Sequence, residues 1–149
     1  MKRALAIGLA VITLSGFAFA ADQIKQDRDN QPILRVHNLY ADEKGETHFR
    51  DINIEAASEG ADGKVSKLLP ATGLIFRTTA GSYNYDWHTA SRRQYVINLD
   101  AAVKITVSDG ESRVIGTGEV LLIEDTKGKG HVSQAVDGKF RHSIFVTLD

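Results

Sequence analysis

The 149-residue chain carries 18 lysine and arginine residues against 19 aspartate and glutamate, a formal charge of −1, and it has no cysteine. Without thiols there is no disulfide, no lipid attachment through sulfur and no thiolate metal ligand, so any metal would need nitrogen and oxygen donors. The basic residues are scattered among acids and form no stripe, which argues against a nucleic-acid partner.

At the N-terminus, Lys2 and Arg3 precede an apolar run from Ala4 to Phe17, then Ala18-Phe19-Ala20 and the polar Ala21-Asp22-Gln23. A charged start, an apolar middle and a small-x-small end are the layout of a secretory signal peptide. The run is at the short end for spanning a bilayer, so cleavage after Ala20 is expected rather than retention as an anchor. The mature protein is then expected in the periplasm or outside the cell, with no membrane association. Removing residues 1–20 takes away two cations and no acid, which moves the formal charge from −1 to −3 and leaves 129 residues. That length suits one domain with a sizeable core.

Residues 21–32 (ADQIKQDRDNQP) are polar, end in a proline and read as a loose N-terminal arm. A single domain is expected over 33–149. Its predicted strands run in order through ILRVHNLY, THFRDINIEA, TGLIFRTT, SYNYDWH, RQYVINL, AVKITVS, RVIGTG, EVLLIE and HSIFVTL. Turn signals such as EKGE, SEGADG, TAGS, SDGE and VDGK separate them. Only GKVSKLLPA leans towards helix, and Pro70 limits it to a turn or two over 64–69. Short, closely spaced strands with almost no helix predict an all-β sandwich, jelly roll or barrel of antiparallel strands.

One of these segments raises a chemical question. In an extended chain Ser82, Asn84, Asp86 and His88 project to one side and Tyr83, Tyr85 and Trp87 to the other. If the aromatic side fills the core, Asp86 and His88 are a solvated edge. If the polar side faces a pocket, a carboxylate and an imidazole share one space, and both residue types ligate divalent metals.

A second segment, GTGEVLLIEDTKGKGH from Gly116 to His131, joins a glycine-and-acid turn to an apolar strand, a glycine-rich loop and a histidine. With both segments in view, the sequence resembles the cupin superfamily. Asp86-Trp87-His88 stands where the family's first motif has H-x-H, Gln94 lies near its glutamate, and Tyr95 to Leu99 follows as the next strand. Gly116-Thr117-Gly118-Glu119 stands where the second motif has P-x-G-D, and His131 stands at its final histidine. The motifs cover about the last 80 residues. The resemblance implies a cupin-like jelly-roll barrel and a metal site of His88 and His131, with Asp86 in place of the first histidine and Gln94 in place of the glutamate. Two histidines and one carboxylate suit iron, manganese or zinc with open coordination positions. Gln94 is a neutral and poorer ligand, and one residue of register shift puts Arg93 there instead, which would favour an anion pocket over a metal.

Arg92 and Arg93 are candidates to clamp a carboxylate or phosphate, although a charged pair at the start of a strand is also an ordinary solvated end. Glu124 and Asp125 close the strand VLLI ahead of His131, and one of them is a candidate to orient its imidazole; the alternative is an acidic loop opposite Lys127 and Lys129. His48 and His142 alternate with apolar residues and are expected to pack at the core's edge or in the pocket wall, and His37 carries no functional expectation. No serine sits in a nucleophile-elbow context. Two functions of different class remain. One is an exported metal-dependent enzyme acting on a small organic molecule. The other is a non-catalytic module that captures a small-molecule ligand without metal. A homodimer is expected in either case, because sheet edges and outward aromatics in such folds are often covered by a partner.

Overall fold

Residues 34 to 79 supply five strands of the computed structural model, which describes residues 32–149; the expected signal peptide and all of the expected arm except Pro32 lie outside the described residues. These strands are β1 (Leu34–Ala41), β2 (Thr47–Ile54), β3 (Ser58–Gly60), β4 (Gly63–Val65) and β5 (Gly73–Thr79). After them come β6 (Asn84–His88), β7 (Gln94–Asn98), β8 (Val103–Val107), β9 (Ser112–Ile115), β10 (Val120–Ile123), β11 (His131–Ala135) and β12 (Arg141–Thr147). Nine of these elements coincide with the predicted strands to within a few residues. The described residues contain no helix, which corrects the turn or two expected over 64–69. That stretch instead begins with β4, which pairs with β3 around Ala61 and Asp62. This hairpin takes up the glycines that the sequence offered as a turn, and Pro70 ends any helical alternative.

The strands form a six-stranded sheet in the order β2-β1-β10-β7-β12-β5 and a four-stranded sheet in the order β6-β11-β8-β9. All pairings are antiparallel except β1 with β10, which runs parallel from the His37–Leu121 pair to the Leu39–Ile123 pair. The hydrogen-bonded ladders stay open, with β2 and β5 at the edges of one sheet and β6 and β9 at the edges of the other. The architecture is therefore all-β, with two open sheets rather than one closed barrel.

Both sheets contribute to one hydrophobic core. Leu39, Phe49, Val96 and Leu121 come from the larger sheet, and Val103, Ile105, Val107 and Ile115 from the smaller. Strand β8 follows the simplest rule of a half-buried strand, with Val103, Ile105 and Val107 buried and Lys104 exposed between them. Burying each such side chain stabilises the fold by about 1.5–3 kcal/mol. Strand β12 departs from that rule. Arg141, Ser143 and Thr147 are its buried positions, and His142 is exposed. His142 therefore lies on the outward face of its strand, hydrogen-bonded to Asp100, and the face expected to pack on the core is the outer one.

Candidate functional site

Residues of both sheets, from β5, β7, β10 and β12 and from β6, β8 and β11, enclose a hollow in the interior. A cavity of about 480 Å³ lies there. Its floor is apolar, built from Val96, Val103, Ile105, Leu121, Ile123 and Phe145, and its polar wall brings together His88, His131, Gln94, Ser133, Arg77 and Arg141. His88, His131 and Gln94, which the sequence places more than 40 residues apart at the extremes, therefore share one space, as the motif resemblance implied.

The histidines meet because β6 and β11 are neighbours. His131 pairs directly with His88, and their ring centroids are 4.3 Å apart. The next pair is Ser133 with Tyr85, so Asp86 and Trp87 on β6 oppose the single residue Val132 on β11. This is a β-bulge, and it answers the question raised by the alternation. The one extra residue shifts the alternation, so Tyr83 and Tyr85 line the cavity together with His88, while Asp86 and Trp87 do not. Neither regular face of the strand is the inner one. The chain can approach this closely because residue 130 is glycine, with φ +75°; a Cβ there would lie 2.1 Å from the His88 carbonyl oxygen.

Each imidazole is fixed through Nδ1. His88 Nδ1–H donates to the backbone carbonyl of Asp86 at 2.7 Å, an acceptor that sets the tautomer and leaves Nε2 bare. His131 Nδ1 lies 2.7 Å from Oδ2 of Asp125, a carboxylate with no solvent exposure. Burial of the His88 ring pushes its pKa down, the Asp86 carbonyl opposing and the neighbouring His131 assisting, so His88 is neutral at physiological pH. Burial pushes the Asp125 pKa up, against the pull of His131. Asp125 Oδ1 has no hydrogen-bond partner among the described residues, so the carboxylate is held there by its single bond to the imidazole.

The other expected site residues separate clearly. The Asp86 carboxylate accepts from the Trp87 backbone N–H at 2.8 Å and does not border the cavity; Asp86 enters the site through its carbonyl instead. Arg93 donates from Nε and Nη2 to Glu124 at 3.1 and 2.7 Å, and Glu124 also accepts from the Asn38 amide. This pair and the exposed Arg92 lie away from the cavity lining. Of the acidic pair, Asp125 reaches His131 and Glu124 does not. His48 sits between Asp42 and Asp109, also outside the lining. Glu119 turns back on Gly116 N–H and closes the turn into β10 rather than entering the site.

Sequence reasoning missed the two arginines that do line the cavity. Arg141 is 6% exposed, and among the described residues its hydrogen bond is the long one from Nε to Ser143 Oγ at 3.3 Å. Burial and the nearby Arg77 push its pKa down. Arg77 pairs with Ser143 across the β5–β12 ladder, two residues along from Arg141, and its guanidinium lies 5.6 Å from the ring centres of both Tyr83 and Phe145. The available signal was a lone cation inside each of the strand-like segments GLIFRTT and RHSIFVT.

No protein-family model matches this chain, and no curated protein does. Among solved structures, the protein NMB1881 from Neisseria meningitidis is similar over 52% of this chain and 75% of its own, with 19% identity and a TM-score of 0.40. The described residues contain no group of three or more histidine and acidic residues arranged to hold a metal ion.

Proposed function

We propose that this chain is a small exported jelly-roll protein of the cupin kind whose interior cavity captures a small organic molecule. The carrying observation is that His88 and His131 present bare Nε2 atoms to one cavity of about 480 Å³, with Nδ1 of each ring already engaged. A cavity of that size, apolar below and polar on one wall, is the usual form of a small-ligand site. The reading needs no resident metal. The signal-like layout of residues 1–20 supports export, and the motif order Asp86-Trp87-His88, Gln94, Gly116 to Glu119 and His131 supports the cupin reading.

A metal-dependent enzyme is the second reading, favoured by the same pair of nitrogens. The protein supplies two imidazoles and the neutral Gln94, while the Asp86 carboxylate is tied to its own strand. That set lacks the anionic ligand that the two-histidine-one-carboxylate pattern requires, so it does not fit such a centre.

Calorimetric titration of tag-free, chelator-treated protein separates the readings. Capture of small organic probes by metal-free protein, lost in His131→Ala, is the expected result. Probe binding that appears only after zinc, manganese or iron(II) is restored would give the site to the second reading.

A further inference from the structure

We infer that the cavity takes an organic carboxylate, whose head group pairs with Arg141 and Arg77 while its apolar body lies on the floor between the two sheets. The inference rests on the reading of the cavity as a small-molecule site and names the chemical class of its occupant.

Charge and burial carry it. Arg141 is 94% buried, counting its 6% exposure, and lines the cavity. A guanidinium has five N–H donors. Among the described residues Arg141 uses Nε alone, towards a serine hydroxyl, and forms no ion pair. Arg77 forms none either and rests between two aromatic rings. Every other described arginine near an acid is paired: Arg93 with Glu124, Arg113 with Asp51 and Glu111, Arg50 with Glu124 and Arg35 with Asp51. The protein thus has acids at hand elsewhere, yet the cavity lining contains no aspartate or glutamate. Arg141 is a buried cation without a counter-ion, which is costly, and the exposed Arg77 on the adjacent strand repels it. An anionic ligand removes both costs.

The shape selects among anions. A planar guanidinium matches a planar carboxylate through two parallel hydrogen bonds. In the ladder Arg141 stands opposite Thr79 and Arg77 opposite Ser143, two residue pairs apart on one face of the sheet, which puts both within reach of one head group. The remaining wall next to them is Tyr83, Tyr85 and Phe145, with Val96 and Leu121 below, which suits a hydrocarbon or aromatic body. The bare Nε2 atoms of His88 and His131 border the same cavity, and that of His88, whose proton is on Nδ1, accepts from a donor elsewhere on the ligand.

Titration of the metal-free full-length mature protein with benzoate and hexanoate, beside benzamide and hexanamide, tests this. The amides keep the shape and remove the charge. Carboxylate binding at least about tenfold tighter than amide binding is expected, since a hydrogen bond to a charged group contributes more than a neutral one. Arg141→Gln should lose about tenfold in carboxylate affinity and nothing in amide affinity, and Arg92→Gln, outside the cavity, should change neither. The wild-type comparison of acid with amide stands even if Arg141→Gln folds poorly. Equal affinity for acids and amides would overturn the carboxylate assignment and leave the small-molecule site intact. Absence of binding by all four probes at about 10 mM would overturn both. Inorganic phosphate binding more tightly than either carboxylate would also overturn the assignment.

Discussion

Strands β8 and β12 bound the same interior, yet their buried positions are of opposite kinds. On β8 the buried positions are Val103, Ile105 and Val107. On β12 they are Arg141, Ser143 and Thr147, with Phe145 partly buried, while Ile144 and Val146 occupy the other face. Alternation reports which face of a strand is apolar. Which face is buried is decided by the neighbours, and β12 is gripped on both sides, with Ser143 held opposite Asn98 of β7 and Arg77 of β5. A one-residue slip would bring Ile144 inwards and break both ladders. The β8 side is consequently where the fold obtains its stability, and the β12 side is where stability is given up for a polar hollow.

The comparison is sharpest at Ile105, which lies in the core cluster and also forms part of the cavity floor. Ile105→Ala should destabilise the protein by about 3 kcal/mol, read from urea unfolding, because it enlarges a void that the two open sheets do not collapse to fill. A cost below about 1 kcal/mol would mean that the floor repacks, and that the two halves are less distinct than their side chains suggest. Gly130→Ala comes next. It forces a left-handed conformation on a residue with a Cβ and drives that atom against the His88 carbonyl. A loss of about 2 kcal/mol is expected, with the His88 and His131 imidazole resonances shifted in NMR spectra. Unshifted resonances would show that the bulge, and not the glycine, sets the approach of the two strands.

Arg141 tests the other half with the opposite sign. It is a buried cation without a carboxylate partner, and an apolar side chain of similar length rests on the same floor without desolvation cost. Arg141→Met should therefore leave stability within about 0.5 kcal/mol or raise it, while carboxylate capture is lost. A melting temperature lowered by as much as that of Ile105→Ala would make Arg141 a structural residue and remove the contrast between the strands.

Much of this was legible in the sequence, and the failures share a cause. Turn punctuation and β-branched runs located nine strands, because those signals are local. His88, His131 and Gln94 were found together through motif order, and Asp125 through its position at the end of an apolar strand. Asp86 was misjudged because the bulge at Asp86 and Trp87 is set by pairing with β11, a strand that the glycine-rich lead into His131 concealed. Arg92 and Arg93 were singled out because they adjoin the motif, whereas the arginines that line the cavity, Arg77 and Arg141, are 64 residues apart in sequence on strands whose pairing no local pattern encodes. Arg93 proved to be the counter-ion of Glu124. The same limit applies to β12: its apolar face was read correctly and assigned to the wrong side.

The smallest effect concerns two histidines that answer pH in opposite directions. His48 donates towards Asp109 at 2.6 Å and Asp42 at 3.3 Å, and the Asp109 contact foremost raises its pKa, with burial opposing. His88, with its pKa lowered chiefly by burial, has a carbonyl on Nδ1 and a bare Nε2. A raised folded-state pKa gives stability that is full below the unfolded value near 6.5 and lost as pH rises through the folded value; a lowered one gives stability present above 6.5 and lost as pH falls. His48 thus favours the folded state on the acid side of neutrality and His88 on the alkaline side, and the wild-type profile is the broad sum of both. His48→Gln removes the first contribution alone. Its melting temperature, relative to wild type, should be lower at pH 6 and converge on wild type by about pH 9, while its carboxylate affinity is unchanged because His48 lies outside the cavity. A deficit that stays constant with pH would show that the His48 contacts with Asp42 and Asp109 act as neutral hydrogen bonds. Altered carboxylate affinity in this variant would mean that the loop cluster and the cavity are coupled, and that the division between a stabilising half and a binding half fails.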